Sequence, residues 1–491
     1  MRHTPAEADL QAQLEHALRR ETGRAVGWPD WSEAVPGAIP VVLLDGLDEL
    51  LQAGAQLLDS ARQWSYLREI ERFQAREAEQ GRPLIVLVTS RTVVADRSEI
   101  PARSQVLRLE PFGESEIERW LDIWNSANRS YFERHGLHPL ALAPVLQHAE
   151  LAAQPLLLLM LALYDSVSGD LHRMRYERIS RTQLYERLLT EFARRQVVKD
   201  GPLPVAEQDA AVDRELHRLS VIALGMLHRG TQAIGGEQAD RDLRAFATEE
   251  PHGEPRGAEP LFGRFFFVHE AQAVVTEQPL RSYEFLHATF GEHLAARLID
   301  RALRRLAESG AVDDGELYAL LSFTPLTDRA QLVQNLGDML TAWPTGRDRL
   351  PTLLATLFKA AEWDPHRSDP GHAPAAVTRT YRNAVYEANL LLVAVLAGGG
   401  AVHASAFVGS EHLVDNWPRR AMLWKSQLSS ESRELLSSAL QTARCWRDAQ
   451  PDLLIGTRQA GRPTDLPHLR AALPNGAYAD EFTTLERTWR G

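Results

Sequence analysis

One cysteine, Cys445, stands in 491 residues. No intramolecular disulfide can form, and a cysteine-ligated zinc site is not expected. This fits a reducing compartment, and a cytoplasmic protein is expected. Cys445 itself reads as a small apolar filler on a helix. An apolar leader is also lacking: the chain opens MRHTPAEADLQAQLEHALRR, without the hydrophobic stretch of a secretory signal. Long hydrophobic runs are scarce. The longest, Leu390 to Val408, is interrupted by Gly398-Gly399-Gly400 and by His403, so a buried helix followed by a loop is expected rather than a membrane span. A basic excess is absent, since the net charge is −12. That argues against a broad nucleic-acid or anionic-membrane footprint. No repeat period is detectable.

What is present is an ordinary globular composition, 44% hydrophobic and 24% charged, in a chain long enough for three or four domains. Residues 6 to 21 carry Leu10, Leu14 and Leu18 at helical spacing. The run Val41-Val42-Leu43-Leu44 ends in Asp45 and reads as a buried parallel strand. Residues 50 to 80 read as a helix, Leu84-Ile85-Val86-Leu87-Val88 as a second buried strand, and Gln105 to Leu109 as a third. Strand, helix, strand at this spacing predicts a parallel sheet with helices on its faces. From Gly113 the pattern turns helical: Glu114 to Trp124, Pro139 to His148, Pro155 to Ser166, Thr182 to Val198 and Ala206 to Leu227. Phe265-Phe266-Phe267-Val268 and Ala273-Val274-Val275 read as a hairpin, and Ser282 to Ala307 as a helix. Beyond residue 310 the chain reads as helical, with a loosely held tail.

The sharpest chemical signal is Val41-Val42-Leu43-Leu44-Asp45-Gly46-Leu47-Asp48-Glu49-Leu50. A strand that ends in Asp puts a carboxylate at the sheet's carboxyl edge, where parallel α/β sheets bind ligands. Such a carboxylate can hold hydrated Mg²⁺, and an acid nearby can orient an attacking water. The plainer alternative is a helix cap at Asp45, with Asp48 and Glu49 favouring the helix N-terminus.

This stretch resembles the Walker B signature of NACHT domains, a branch of the STAND group of P-loop NTPases. Leu84 to Thr92, LIVLVTSRT, is similar to that family's sensor strand, and Arg91 would approach the terminal phosphate. Leu151-Ala152-Ala153-Gln154-Pro155-Leu156-Leu157-Leu158 resembles the segment whose proline, here Pro155, packs near adenine; Ala153 replaces a frequent glycine. Tyr283 to Ala296, YEFLHATFGEHLAA, looks like the family's winged-helix segment. The resemblance there implies that His287 reaches the β-phosphate of ADP, and His293 replaces an aromatic. Each residue also has a structural reading: a surface ion pair for Arg91, a first-turn proline for Pro155, a core histidine for His287. The region 109–124 and Arg181 to Glu186 fit the same pattern, and the C-terminal region resembles tails of actinobacterial proteins of this kind.

The phosphate-binding string G-x-x-x-x-G-K-[ST] is missing. Gly23 and Gly27 have the right interval, but Trp28 and Pro29 occupy the Lys and Ser/Thr places, and the first 40 residues hold no lysine. A chain that starts late, a degenerate descendant, or a separate chain supplying the missing half would each account for this; the first is preferred.

The expectation is therefore a multidomain α/β plus α protein. It comprises an N-terminal helix and linker (1–38), a partial parallel-sheet NTPase core (39–112), a helical domain (113–200), a winged-helix domain (201–305) and a C-terminal all-helical domain (306–491). The resemblance implies a signalling ATPase held closed by ADP and opened by ATP, with Asp45 as Mg²⁺ ligand, Asp48 and Glu49 as catalytic acids, and Arg91, Pro155 and His287 around the nucleotide. Partners would be the nucleotide and proteins, including self-assembly through helical regions, with no membrane or nucleic acid. A non-catalytic helical scaffold is the alternative, followed by a winged-helix DNA-binding regulator.

Overall fold

The computed structural model describes residues 9–45, 47, 60–90, 100–169, 171, 180–199, 204–247, 257–258, 265, 268–275, 278–285, 287–310, 314–361, 371–409, 413–447 and 450–457. The fold is mostly helical, with three small sheets among the described residues.

The N-terminal unit comprises α1 (Leu10–Thr22), α2 (Trp28–Ser32), β1 (Val41–Leu44), α3 (Ser60–Glu79) and β2 (Ile85–Val88). Asp9 caps α1 by accepting from the Ala12 backbone N–H, and Gly23 ends it at φ 70°, a left-handed conformation that glycine adopts without Cβ strain. β1 and β2 are parallel, with Leu44 opposite Val88. Val42 and Leu44 point into a core with Leu10, Trp28, Tyr66, Ile70, Phe73 and Leu84. The alternate residues do not: Val41, Leu43, Ile85 and Leu87 are 52%, 69%, 50% and 54% exposed. The sequence reads these strands as buried on both faces, whereas described helices cover only one. Gln105 to Leu109 forms no strand; Leu107 is 90% and Leu109 97% exposed. An apolar run becomes a strand only where a neighbour completes its hydrogen-bond ladder.

A second core runs from Ile117 to Leu294. It joins α4 (Glu114–Ala127), α5 (Arg129–His135), α6 (Leu142–Leu146), α7 (Ala149–Ala152), α8 (Pro155–Ser168), α9 (Arg181–Lys199) and α10 (Val205–His228) to a sheet ordered β3-β5-β4. Its strands are β3 (Ala233–Gly235), β4 (Val268–Val275) and β5 (Gln278–Phe285), and α11 (Gly236–Ala245) follows β3. The expected hairpin exists, but later along the chain: Val275 pairs with Gln278 and Val268 with Phe285. Tyr283 to Phe285 is therefore strand, not helix. Aromatics at alternate positions favour the ladder, and helix α12 (Ala288–Ser309) starts only after its cap, His287.

The largest core contains the rest of α10 and α12. To these it adds α13 (Gly315–Leu321), α14 (Ala330–Thr341), α15 (Leu350–Ala360), α16 (Arg379–Ala397), α18 (Leu413–Gln427) and α19 (Ser430–Ala439). Helix α16 is buried almost throughout and ends at Gly398, as the broken apolar run suggests. No helix among the described residues is long and apolar enough to cross a membrane. The all-helical expectation for this region fails at one place. A sheet ordered β6-β8-β7 is built from β6 (Ala401–His403), β7 (Leu440–Arg447) and β8 (Gln450–Thr457), with the short helix α17 (Ser405–Val408) after β6. The sheet depends on Val402 pairing with Ile455, 53 positions further along the chain, which a local scan for helical period does not register.

Helix α10 approaches α11 closely at Gly225. A Cβ there would lie 2.1 Å from Asp242 Oδ2 and 2.9 Å from an Arg229 guanidinium nitrogen. Asp242 is buried and accepts two hydrogen bonds from Arg229, at 2.6 and 3.1 Å. In an ordinary helix Gly→Ala stabilises by about 1 kcal/mol. Gly225→Ala is expected to do the reverse and destabilise by about 2–4 kcal/mol, because it displaces a buried ion pair. Urea unfolding midpoints of the two proteins check the sign.

Candidate functional site

Parallel strands place their carboxyl ends side by side, and here that edge carries Asp45 and Thr89. The Thr89 hydroxyl donates to Asp45 Oδ1 at 2.5 Å. The backbone fixes both: Thr89 N–H donates to Leu44 O at 3.0 Å, and Leu47 N–H donates to Thr89 O at 3.0 Å. The last link ties the chain beyond Asp45 back to β2. Asp45 and Thr89 are both exposed at this edge. Sequence reasoning singled out Asp45 and took Thr89 only as part of the polar end of the second strand; it did not pair the two. Asp48, Glu49 and Arg91 lie outside the described residues.

Hard oxygen donors held in an exposed strand tip fit hydrated Mg²⁺, which keeps most of its water and takes one or two protein ligands. The Gly23–Gly27 stretch does not fit a phosphate cradle. Trp28 is buried there, its backbone N–H donates to Glu15 Oε1 at 3.0 Å, and its indole N–H donates to Glu77 Oε2 at 3.0 Å. Carboxylates thus take up donors on both sides of this turn. Glu77 is 1% exposed. Burial opposes its charge, but hydrogen bonds from Arg82 and Trp28 outweigh burial and lower its pKa.

Pro155 opens α8 and is exposed. The turn before it is anchored: Ala153 O accepts the Phe112 N–H at 2.7 Å, joining two segments singled out in the sequence. His287 is the N-cap of α12. Its Nδ1 accepts from the Thr289 backbone N–H at 3.3 Å and lies 2.6 Å from Thr289 Oγ1. An accepting Nδ1 assigns the ring proton to Nε2. The Thr289 hydroxyl also lies 2.5 Å from the Tyr185 hydroxyl. A chain Tyr185 to Thr289 to His287 results, tying α9 to the start of α12. Pro155 and His287 stand on elements of the second core, whereas Asp45 stands on the N-terminal unit, whose core shares no residue with it.

Below this cap sits an ion network. Glu186 accepts from His293 Nε2 at 3.0 Å and from Arg297 Nε at 3.0 Å. Arg297 and Arg301 both reach Asp213, at 2.6 and 2.5 Å. His293 is fully buried and finds its partner in Glu186. The network joins α9, α10 and α12. Burial opposes the Glu186 charge, but His293 and Arg297 prevail and lower its pKa to about 2.

No protein-family model matches the chain, and no curated protein matches it either.

Glu186 generates a pH prediction. Its folded pKa lies below its ordinary value of 4.5, so its contribution is complete above pH 4.5 and is lost as pH falls through about 2. The side chain keeps 40% of its accessibility, so water screens part of the effect. Glu186→Gln is expected to lower the unfolding temperature at neutral pH and to flatten its decline between pH 4.5 and 2. Thermal melts across that interval test it; parallel curves for the two proteins would remove Glu186 from the account.

Proposed function

We propose that the chain is the downstream portion of a NACHT/STAND-type signalling ATPase, a nucleotide-controlled switch closed with ADP and open with ATP, acting in signal transduction or bacterial defence. The observation that carries this reading is the carboxylate of Asp45, oriented by Thr89 at the carboxyl edge of two parallel strands. That is where α/β sheets bind nucleotides. Asp45 would hold Mg²⁺, which supplies charge neutralisation at the phosphates. Asp48 or Glu49 would orient water, Arg91 would meet the terminal phosphate, Pro155 the adenine and His287 the β-phosphate. The assigned tautomer gives His287 an Nε2–H, a donor suited to a phosphate oxygen. Without a G-x-x-x-x-G-K-[ST] string the chain by itself should bind nucleotide weakly and hydrolyse almost none.

A second reading has its own observation. One apolar face of β1 and β2 is exposed among the described residues, and the largest core is mostly helical, both of which suit a non-catalytic scaffold that binds protein partners. A DNA-binding role is disfavoured by the net charge of −12.

Calorimetric titration with ADP, with and without Mg²⁺, separates these. The switch reading expects a dissociation constant of about 1 mM or weaker, tightened by Mg²⁺ and weakened at least several-fold by Asp45→Ala or His287→Ala. Binding that ignores Mg²⁺ and both substitutions would leave the scaffold. Micromolar binding by the chain alone would overturn the view that its phosphate site is incomplete.

A further inference from the structure

The C-terminal sheet brings three metal-binding side chains to one place. Cys445 on β7 is directly opposite Asp452 on β8, and His403 on β6 is opposite Leu454. Residues 452 and 454 are two apart on one strand, so all three side chains share a face of the sheet. His403 Nδ1 lies 3.1 Å from Asp452 Oδ2 and 3.7 Å from Cys445 Sγ, and one donor atom from each residue lies within 4.8 Å of the others. We propose that His403, Cys445 and Asp452 form a binding site for a zinc-class divalent metal, with three protein ligands and an open position.

The two separations from His403 suit such an ion. Metal bonds of about 2.0–2.3 Å to N, O and S at tetrahedral angles separate ligand atoms by about 3.3–3.6 Å. The observed 3.1 and 3.7 Å bracket that range. A thiolate, an imidazole and a carboxylate are also a donor set that favours zinc over magnesium or calcium.

The carboxylate is already aimed. Asp452 Oδ1 accepts from the backbone N–H groups of Ser405 and Leu453, at 3.1 and 2.8 Å, and the Ser405 hydroxyl donates to Oδ2 at 2.6 Å. Hydrogen bonds of this kind orient the ligands of metal sites from behind. Asp452 and Cys445 are 1% and 2% exposed, whereas the His403 side chain is 37% exposed. His403 and Ser405 line a cavity of about 1060 Å³ whose wall includes Arg347, Lys359 and Arg447. The accessible side of the triad therefore opens on a cation-rich space, and an anion or water from it can fill the fourth position. On binding, the Cys445 thiol becomes a thiolate and releases its proton to solvent, and a neutral His403 that ligates through Nδ1 carries its ring proton on Nε2.

This site is independent of the proposed nucleotide switch, since it uses a different sheet and softer donors. Cobalt(II) titration of the metal-stripped full chain tests it. The expected result is one equivalent bound, a thiolate-to-cobalt charge-transfer band, intense tetrahedral visible bands, and their disappearance on adding zinc. Asp45→Ala should change none of this. Cys445→Ser should abolish the charge-transfer band, and His403→Gln should weaken binding at least ~10-fold; melts without metal establish that each variant folds. The proposal is overturned if the folded chain shows no charge-transfer band with cobalt, or if it binds cobalt and zinc as Cys445→Ser does.

Discussion

The packing of α10 against α12 is the constraint on which most of the molecule depends. Each helix serves two cores. In α10, Leu216, Leu219 and Ile222 face the second core while Val221, Leu224 and Leu227 face the largest. In α12, Phe290 and Leu294 belong to the second core and Leu298 to Leu306 to the largest. Apolar burial of this kind is non-directional. The bonds from Arg297 and Arg301 to Asp213, and from Arg297 and His293 to Glu186, add the direction. Breaking such a network by removing one partner leaves a charge without its mate, which costs more than the pair ever contributed.

The same helix carries His287 at its N-terminus, so the geometry of the cap follows from the packing beneath it. Tyr185 packs edge-on against Phe290 at 5.2 Å and places its hydroxyl at Thr289. Movement of α9 relative to α12 would alter the Tyr185–Thr289–His287 chain directly. That couples an imidazole at a helix start to the packing of α9 against α12.

The N-terminal unit is organised differently. Its core holds one face of β1 and β2 through Val42, Leu44 and Leu84, while Val41, Leu43, Ile85 and Leu87 stay exposed. Parallel strands are ordinarily covered on both faces. Asp45 and Thr89 at its tip offer hard oxygens, whereas the His403, Cys445 and Asp452 cluster offers a softer, partly buried set. As proposed, these two places among the described residues would take different cations.

Local sequence determined a good deal. The strand ending in Asp45, the helices over 114–127, 155–168, 181–199 and 205–228, and the break after Ala397 all follow from apolar period and from glycine and proline placement, which act over a few residues. What needed the tertiary structure were the pairings. Leu107 and Leu109 are as apolar as any strand residue yet find no ladder. Tyr283 and Phe285 became strand because β4 lies beside them. A lone cysteine read as filler meets His403 and Asp452 only because three distant strands align. Likewise the buried His293 finds Glu186, 107 positions away. Hydrophobic period is a property of neighbours along the chain, whereas hydrogen-bond ladders, ion pairs and ligand clusters are properties of neighbours in space.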